Sequence, residues 1–310
     1  MKRSHMLVVP SLLCSLALLS ACAGVPGNDS VASVEEDAID PAEHLRAGDR
    51  AAGRGELELA LAQYALAIES GGESAELYYK VALVHQARGR ADLAERGFRQ
   101  TLASSPEHVP AHVALGLLAL RRGDYRYAEI ALEEALEHDP RNGRALNALG
   151  VLNDLEEDFV TAGKFYDRAL ETMPNSADVL NNAGYSLYLQ GRMQAAKRRF
   201  EEVIDVDPEH AHGWSNLALV HLQLGNETMA EMAFRNVIAE HQALNNIGYF
   251  DLLRENERSA REKFIEAARL APSHYELAYR NLASLDARES EHDEDDVSAA
   301  VSSGDRPVQK

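Results

Sequence analysis

Residues 143–176, GRALNALGVLNDLEEDFVTAGKFYDRALETMPNS, and residues 177–210, ADVLNNAGYSLYLQGRMQAAKRRFEEVIDVDPEH, match when written one above the other. Gly150, Ala162, Tyr166 and Pro174 fall on Gly184, Ala196, Phe200 and Pro208, each pair 34 positions apart. Each line holds two short amphipathic helices with a small apolar face between them, too little core to fold alone. Stacking such lines makes one continuous core, so the spacing predicts an all-α chain that grows by repetition.

The pattern extends both ways from this pair. Residues 41–74 carry Gly48, Ala60 and Tyr64, with Gly72 in the proline place. Residues 75–108 carry Ala82, Ala94, Phe98 and Pro106, and residues 109–142 carry Gly116, Ala128, Leu132 and Pro140. Downstream, 211–240 carry Trp214, Leu217, Ala218, Ala230 and Phe234, and 241–274 carry Ile247, Gly248, Ala260, Phe264 and Pro272. A small residue at the eighth place and Ala at the twentieth let the first helix of a line (A) approach the second (B). The aromatic at the twenty-fourth place fills space between repeats. Proline at the thirty-second ends helix B, because it has no N–H to give to the preceding turn. Gly53, Gly55, Gly89, Gly123, Gly191 and Gly225 fall at or near the A-to-B turn, where a positive φ favours glycine.

This pattern resembles the tetratricopeptide repeat. The resemblance implies an all-α, right-handed superhelical solenoid of about seven helix pairs plus a capping helix over residues 41–288. Two irregularities stand out. Ala218 and Gly248 are only 30 positions apart, which predicts a tight turn at Glu240-His241-Gln242. Residues 275–287 begin like another helix A, with Tyr279 and Leu282 on one side, and read as the cap of the open end.

The two ends of the chain read differently. Lys2 and Arg3 precede an apolar run from Met6 to Leu19, short for a spanning helix and suited to a secretory signal. The run closes on Leu19-Ser20-Ala21-Cys22, which resembles the bacterial lipobox. The resemblance implies cleavage after residue 21 and a diacylglycerol thioether on Cys22. An ordinary signal peptide cleaved near Ala23 and a buried N-terminal helix are the competing readings. The only other cysteine, Cys14, lies in the segment to be removed, so the mature chain has no disulfide. By resemblance to enteric sorting rules, Ala23 and Gly24 after the cysteine imply the outer membrane, with the protein facing the periplasm. Residues 22–40 read as the lipidated cysteine and an acidic tether reaching on the order of 60 Å. Residues 289–310 read as an acidic, disordered tail.

Charge limits the partners. The chain has 310 residues, 45% hydrophobic and 26% charged, with formal net charge −19. Losing Lys2 and Arg3 leaves 29 basic against 50 acidic residues, or −21. Such a surface repels phosphate backbones and argues against nucleic acid. No nucleotide loop, nucleophile elbow or His-Glu-x-x-His occurs, so neither catalysis, a cofactor nor a small-molecule substrate is expected. Glu209-His210-x-His212 is the nearest approach to a metal set and reads as solvated loop residues. Glu133-Glu134 and Glu201-Glu202 read as the solvated face of helix B.

The inward places of helix A are the candidate binding site. They hold Asn147, Asn181, Asn182, Tyr185, Tyr188, Asn216, Asn245, Asn246 and Tyr249. Asparagine offers a donor and an acceptor, so a row of them satisfies the backbone of an extended peptide, and tyrosine adds apolar area with a polar tip. The competing reading is that these asparagines support helix packing. Arg46, Lys80 and Arg144 stand isolated, so no clamp of cations for a terminal carboxylate is expected.

Ala243-Leu244-Asn245-Asn246-Ile247-Gly248-Tyr249 and Ala278-Tyr279-Arg280-Asn281-Leu282 resemble the C-terminal end of the TadD-type lipoproteins of tight-adherence (Flp) pilus assembly. The resemblance implies a pilotin-like or scaffolding role toward a secretin or its partners in the envelope. An outer-membrane lipoprotein adaptor that recruits peptidoglycan enzymes uses the same anchor and groove with different cargo.

Overall fold

A computed structural model describes residues 40–288. The lipobox with Cys22, the tether up to residue 39 and the tail from 289 lie outside the described residues. Fifteen helices and no strand occur among the described residues. They run as A/B pairs: α1 (Pro41–Gly53) with α2 (Leu57–Glu69), α3 (Ala75–Ala87) with α4 (Ala91–Ser104), and α5 (Val109–Arg122) with α6 (Tyr125–His138). Then come α7 (Gly143–Leu155) with α8 (Phe159–Thr172), and α9 (Ala177–Leu189) with α10 (Met193–Val206). The last two pairs are α11 (Ala211–Gln223) with α12 (Glu227–Phe234), and α13 (Glu240–Leu253) with α14 (Glu257–Leu270). A final helix, α15, spans 276–288. The pairs stack in order as a solenoid, each packed on the next, and α5, α7, α9 and α11 also touch one another directly. Among the described residues, no helix is long and apolar enough to cross a membrane.

The repeat places are the core. Ala60, Ala94, Ala128, Ala162, Ala196, Ala230 and Ala260 are all fully buried, as are Phe98, Leu132, Phe200 and Phe264. The large side chain at the twenty-fourth place does more than fill space between repeats. It lies flat over the small residue of its own helix A: a Cβ on Gly150 would sit 2.5 Å from the Tyr166 ring, and one on Gly184 2.8 Å from Phe200. In the second repeat Ala82 occupies this place, and helix B gives up a side chain instead. Gly97 faces it, where an added Cβ would lie 2.7 Å from that of Ala82. Where the ring is tyrosine, an aspartate on helix A accepts its hydroxyl. Tyr64 donates to Asp49 at 2.9 Å and Tyr166 to Asp154 at 2.7 Å.

Junctions between repeats are closed by caps. The last residue of each line precedes the next helix A, and its side chain accepts from the first turn. Asp40, Ser74, His108, Asn142, Ser176 and His210 all do this. Such a cap satisfies an orphan N–H and contributes about 1 kcal/mol. The preceding proline carbonyl is also claimed: Trp214 Nε1 donates to Pro208 O at 2.8 Å, and His112 Nε2 to Pro106 O at 2.7 Å.

Three expectations need correction. Gly53 ends α1 rather than making the turn, and two turns use glutamate in the left-handed region, Glu157 at φ 63° and Glu255 at φ 59°. Glu240-His241-Gln242 is no turn; it is the start of α13, with Gln242 Oε1 accepting from the Ala239 N–H at 3.0 Å. The shortening falls in helix B: α12 has 8 residues where α10 has 14, and the turn that follows is slightly longer. In α15 the fully buried residues are Ala278 and Leu285, whereas Tyr279 is exposed and stacks on His274. Leu285 closes over Leu252, Ala260 and Phe264, and Ala278 over Leu244 and Ala267, so α15 covers an apolar face that would otherwise meet water.

Candidate functional site

Most of the asparagines on the A helices are bonded to each other. Asn182 Nδ2 donates to Asn147 Oδ1 at 3.1 Å, and Asn216 Nδ2 to Asn181 Oδ1 at 2.9 Å. Asn281 Nδ2 donates to Asn245 Oδ1 at 3.0 Å. In the first two bonds the fifth place of one repeat accepts from the sixth place of the next. A bond at this spacing ties consecutive A helices together, and Asn245 is buried where it does so. One donor and one acceptor are spent per bond, so each amide keeps part of its capacity.

Three of the remaining predicted residues stay open to solvent, and Tyr188 is half-buried. Tyr185 is 43% exposed and Tyr249 51%, and Asn246 is also exposed. Tyr185 and Tyr188 stack with centroids 5.9 Å apart, and Gln223 Nε2 donates to Tyr188 Oη at 3.4 Å. Helical spacing puts Tyr185 and Tyr188 on one side of α9 and Asn246 and Tyr249 on one side of α13. The face therefore has a fixed amide ladder beside a strip of exposed tyrosines.

Two readings of charge change in the structure. Lys80 is not isolated: its ammonium lies 2.9 Å from Asp49 and 3.6 Å from Glu76. His210 is not a solvated loop residue, since its Nδ1 accepts from the Gly213 N–H at 2.9 Å and its Nε2 faces Asp178 at 3.3 Å. The paired carboxylates of helix B stay on its solvated face, where Glu134 lies beside His112, Glu201 pairs with Lys197 and Glu202 with Arg199. Arg46 comes only within 4.0 Å of the exposed Asp40, and Arg144 is exposed.

Asp154 of α7 joins two repeats. Its carboxylate accepts from Tyr166 and, across the junction, from Ser186 at 2.6 Å. Burial raises its pKa, and the two hydroxyl donors oppose that rise. Burial, and then the carboxylate itself, push the Tyr166 phenol far above its usual range. Asn281 and Asp154 were absent from the sequence-based site, because the bonds they make across a junction depend on how two repeats sit together.

A sequence model of the tetratricopeptide repeat matches residues 79–129, 113–179 and 181–243, together more than half of the chain. No curated protein matches the sequence. Among solved structures, the fold is similar to a tetratricopeptide repeat protein from Parabacteroides merdae, at 15% identity and TM-score 0.59 over 79% of this chain and 98% of that one. It is similar to PilF of Pseudomonas aeruginosa, at 20% identity and TM-score 0.54 over 68% and 96%. It is also similar to PilW, a type IV pilus biogenesis factor, at 17% identity and TM-score 0.57 over 67% and 98%. At these identities the likeness is one of fold. With that match, and with helix pairs stacked through the small, alanine and aromatic places, the chain belongs to the tetratricopeptide repeat family.

Proposed function

We propose that the protein is a lipid-anchored, non-enzymatic scaffold of the bacterial envelope that binds an extended protein segment and assists assembly of a tight-adherence (Flp) pilus or its secretin. The strip left over once the amide ladder is made, with Tyr185, Asn246 and Tyr249 exposed and Tyr188 half-buried, carries the reading. Stacked tyrosines beside amides with spare hydrogen-bonding capacity suit a peptide backbone with apolar side chains. The fold likeness to PilW, described as a pilus biogenesis factor, and the resemblance at residues 243–249 and 278–282 support the choice of cargo. The Leu-Ser-Ala-Cys sequence at 19–22 supports the anchor, and Ala23 and Gly24 after it support the outer membrane.

The test uses Tyr185→Ala with Tyr249→Ala, because Asn182 holds the ladder and is a poor probe. The double variant should keep its helical content and thermal midpoint yet lose pili and secretin multimers in cells. Normal piliation in cells lacking the gene would end the pilus reading, and Cys22→Ser should leave the membrane fraction if the anchor is real.

A further inference from the structure

The B helices carry a second feature, and the repeats themselves provide its control. Between α4 and α6, over α5, the gap is closed by charge. Glu95 of α4 pairs with Arg122 and, at 2.5 Å, with Arg99, while Arg122 also reaches Asp92 at 2.8 Å. The Arg99 guanidinium lies 5.7 Å over the Tyr127 ring. Only about 130 Å³ remains open there.

Two repeats on, the same gap between α8 and α10, over α9, is a cleft of about 590 Å³. Every closing residue has been replaced. Gly163 stands where Glu95 stood, Asp167 for Arg99, Gln190 for Arg122 and Ala195 for Tyr127. A Cβ on Gly163 would meet nothing within 4 Å, so the space is open down to the backbone of α8. Asp124 becomes Arg192, which adds a cation at the rim.

The lining favours an anion. Four basic side chains, Lys164, Arg192, Arg198 and Arg199, meet two acidic ones, Asp167 and Glu202, in a chain of net charge −19. Arg199 is spent on Glu202 at 2.7 Å. Among the described residues, Arg192, Arg198 and Lys164 make no ion pair within 4 Å, and all three are exposed. Val160, 71% exposed, adds an apolar wall beside them. The floor is neutralised below: the Tyr166 and Ser186 hydroxyls both point into Asp154, and Gln190 Nε2 donates to the Ser186 carbonyl at 3.1 Å.

We propose that this cleft is a second docking site, separate from the tyrosine strip, for an extended acidic segment of a partner protein. The segment would set carboxylates against Arg192, Arg198 and Lys164 and an apolar side chain against Val160. Charge complementarity carries the choice of occupant: this is a positive opening on a strongly negative molecule, so it selects acidic segments and orients them as they approach. The chain's own run of six carboxylates at 289–296 follows α15, three repeats away. It is the rival occupant.

The experiment measures fluorescence anisotropy of a labelled Asp/Glu-rich decapeptide with one central leucine, and of its Asn/Gln counterpart, on the full chain. The acidic peptide should bind at least about tenfold more tightly than the neutral one, with affinity falling as salt rises. Arg192→Glu with Arg198→Glu should abolish that preference, and Gly163→Glu, which restores the closing residue of the upstream gap, should weaken binding by about tenfold. Both sets of substitutions lie on solvent-facing positions, so an unchanged thermal midpoint checks folding. Tyr185→Ala with Tyr249→Ala should leave the affinity as it was. Equal binding of both peptides, binding indifferent to the cleft variants, or binding lost with the tyrosines overturns the proposal. So does binding that emerges only when the six carboxylates of 289–296 are replaced by their amides, since the tail would then be the occupant.

Discussion

The repeat 177–210 and its neighbour 211–240 share a core and differ at the exit. Phe200 and Phe234 are both buried, over Gly184 and Ala218 respectively, with Ala196 and Ala230 beneath. After Phe200, helix α10 runs on for another turn and a half, and Val203 beds the start of α11 against Gly213, where a Cβ would lie 2.6 Å from Val203. His210 then caps α11. After Phe234 the helix stops at once. Ile238, from the turn, packs with Ala243, Ile247 and Phe250 in place of the missing helix, and α13 starts on Ala239, which has no side chain to cap with. The difference separates two jobs: the small, alanine and aromatic places hold A to B, while the last turn of B and its cap hold one repeat to the next.

The largest expected effect tests the shared part. Phe200→Ala and Phe234→Ala should each destabilise the fold by about 3–5 kcal/mol in chemical denaturation, if one ring holds both pairs alike. A loss below about 1 kcal/mol for Phe234 alone would mean that the clipped repeat is held by its neighbours instead. Next is the small place: Gly184→Ala should cost about 1–3 kcal/mol by pressing on Phe200, whereas Ala218→Gly loses only about 1 kcal/mol of helix propensity.

The junction accounts for a smaller difference. His210→Ala should cost about 1 kcal/mol, and Ala239→Ser should add a similar amount, because it completes the box of which Gln242 already makes half. No loss from His210→Ala, or no gain from Ala239→Ser, would erase the contrast between the two junctions. The smallest effect is on pH. Burial, then Lys197, lowers the pKa of His221 in α11 below its usual 6.5. The unfolded chain therefore takes up a proton that the folded one refuses, so stability is full above that value and falls as pH drops through it. Denaturation midpoints at pH about 7.5 and 5.5 should differ, and His221→Leu should shrink the difference, with His85, also lowered chiefly by burial, supplying the remainder.

Legibility followed the range of the interaction. The place of Ala162 or Tyr166 was readable because the requirement is met inside one helix pair and recurs seven times. The deletion before residue 240 was readable as a count but misplaced, since a shorter loop and a shorter helix leave the same spacing. Asn182 was singled out from its place on helix A, but its bond to Asn147, 35 residues away, depends on how two repeats sit together. The cap role of His210 was missed because histidine is an uncommon cap, and only the direction of its ring shows Nδ1 accepting. The cleft beside Gly163 had no signature at all: one glycine on a helix reads as a weak helix former until its neighbours are seen to leave space beside it.

By itself the sequence determined the repeat length, the helix pairs and the buried places, because a period of 34 with small and aromatic residues in fixed positions admits one way of packing A on B. Tertiary structure alone decided which asparagines hold the stack, which tyrosines remain exposed, where the shortened repeat loses its residues and which gap between B helices stands open. Each of these is set by side chains a whole repeat or more apart, and their meeting depends on the angle and distance between neighbours that no single line of the repeat encodes.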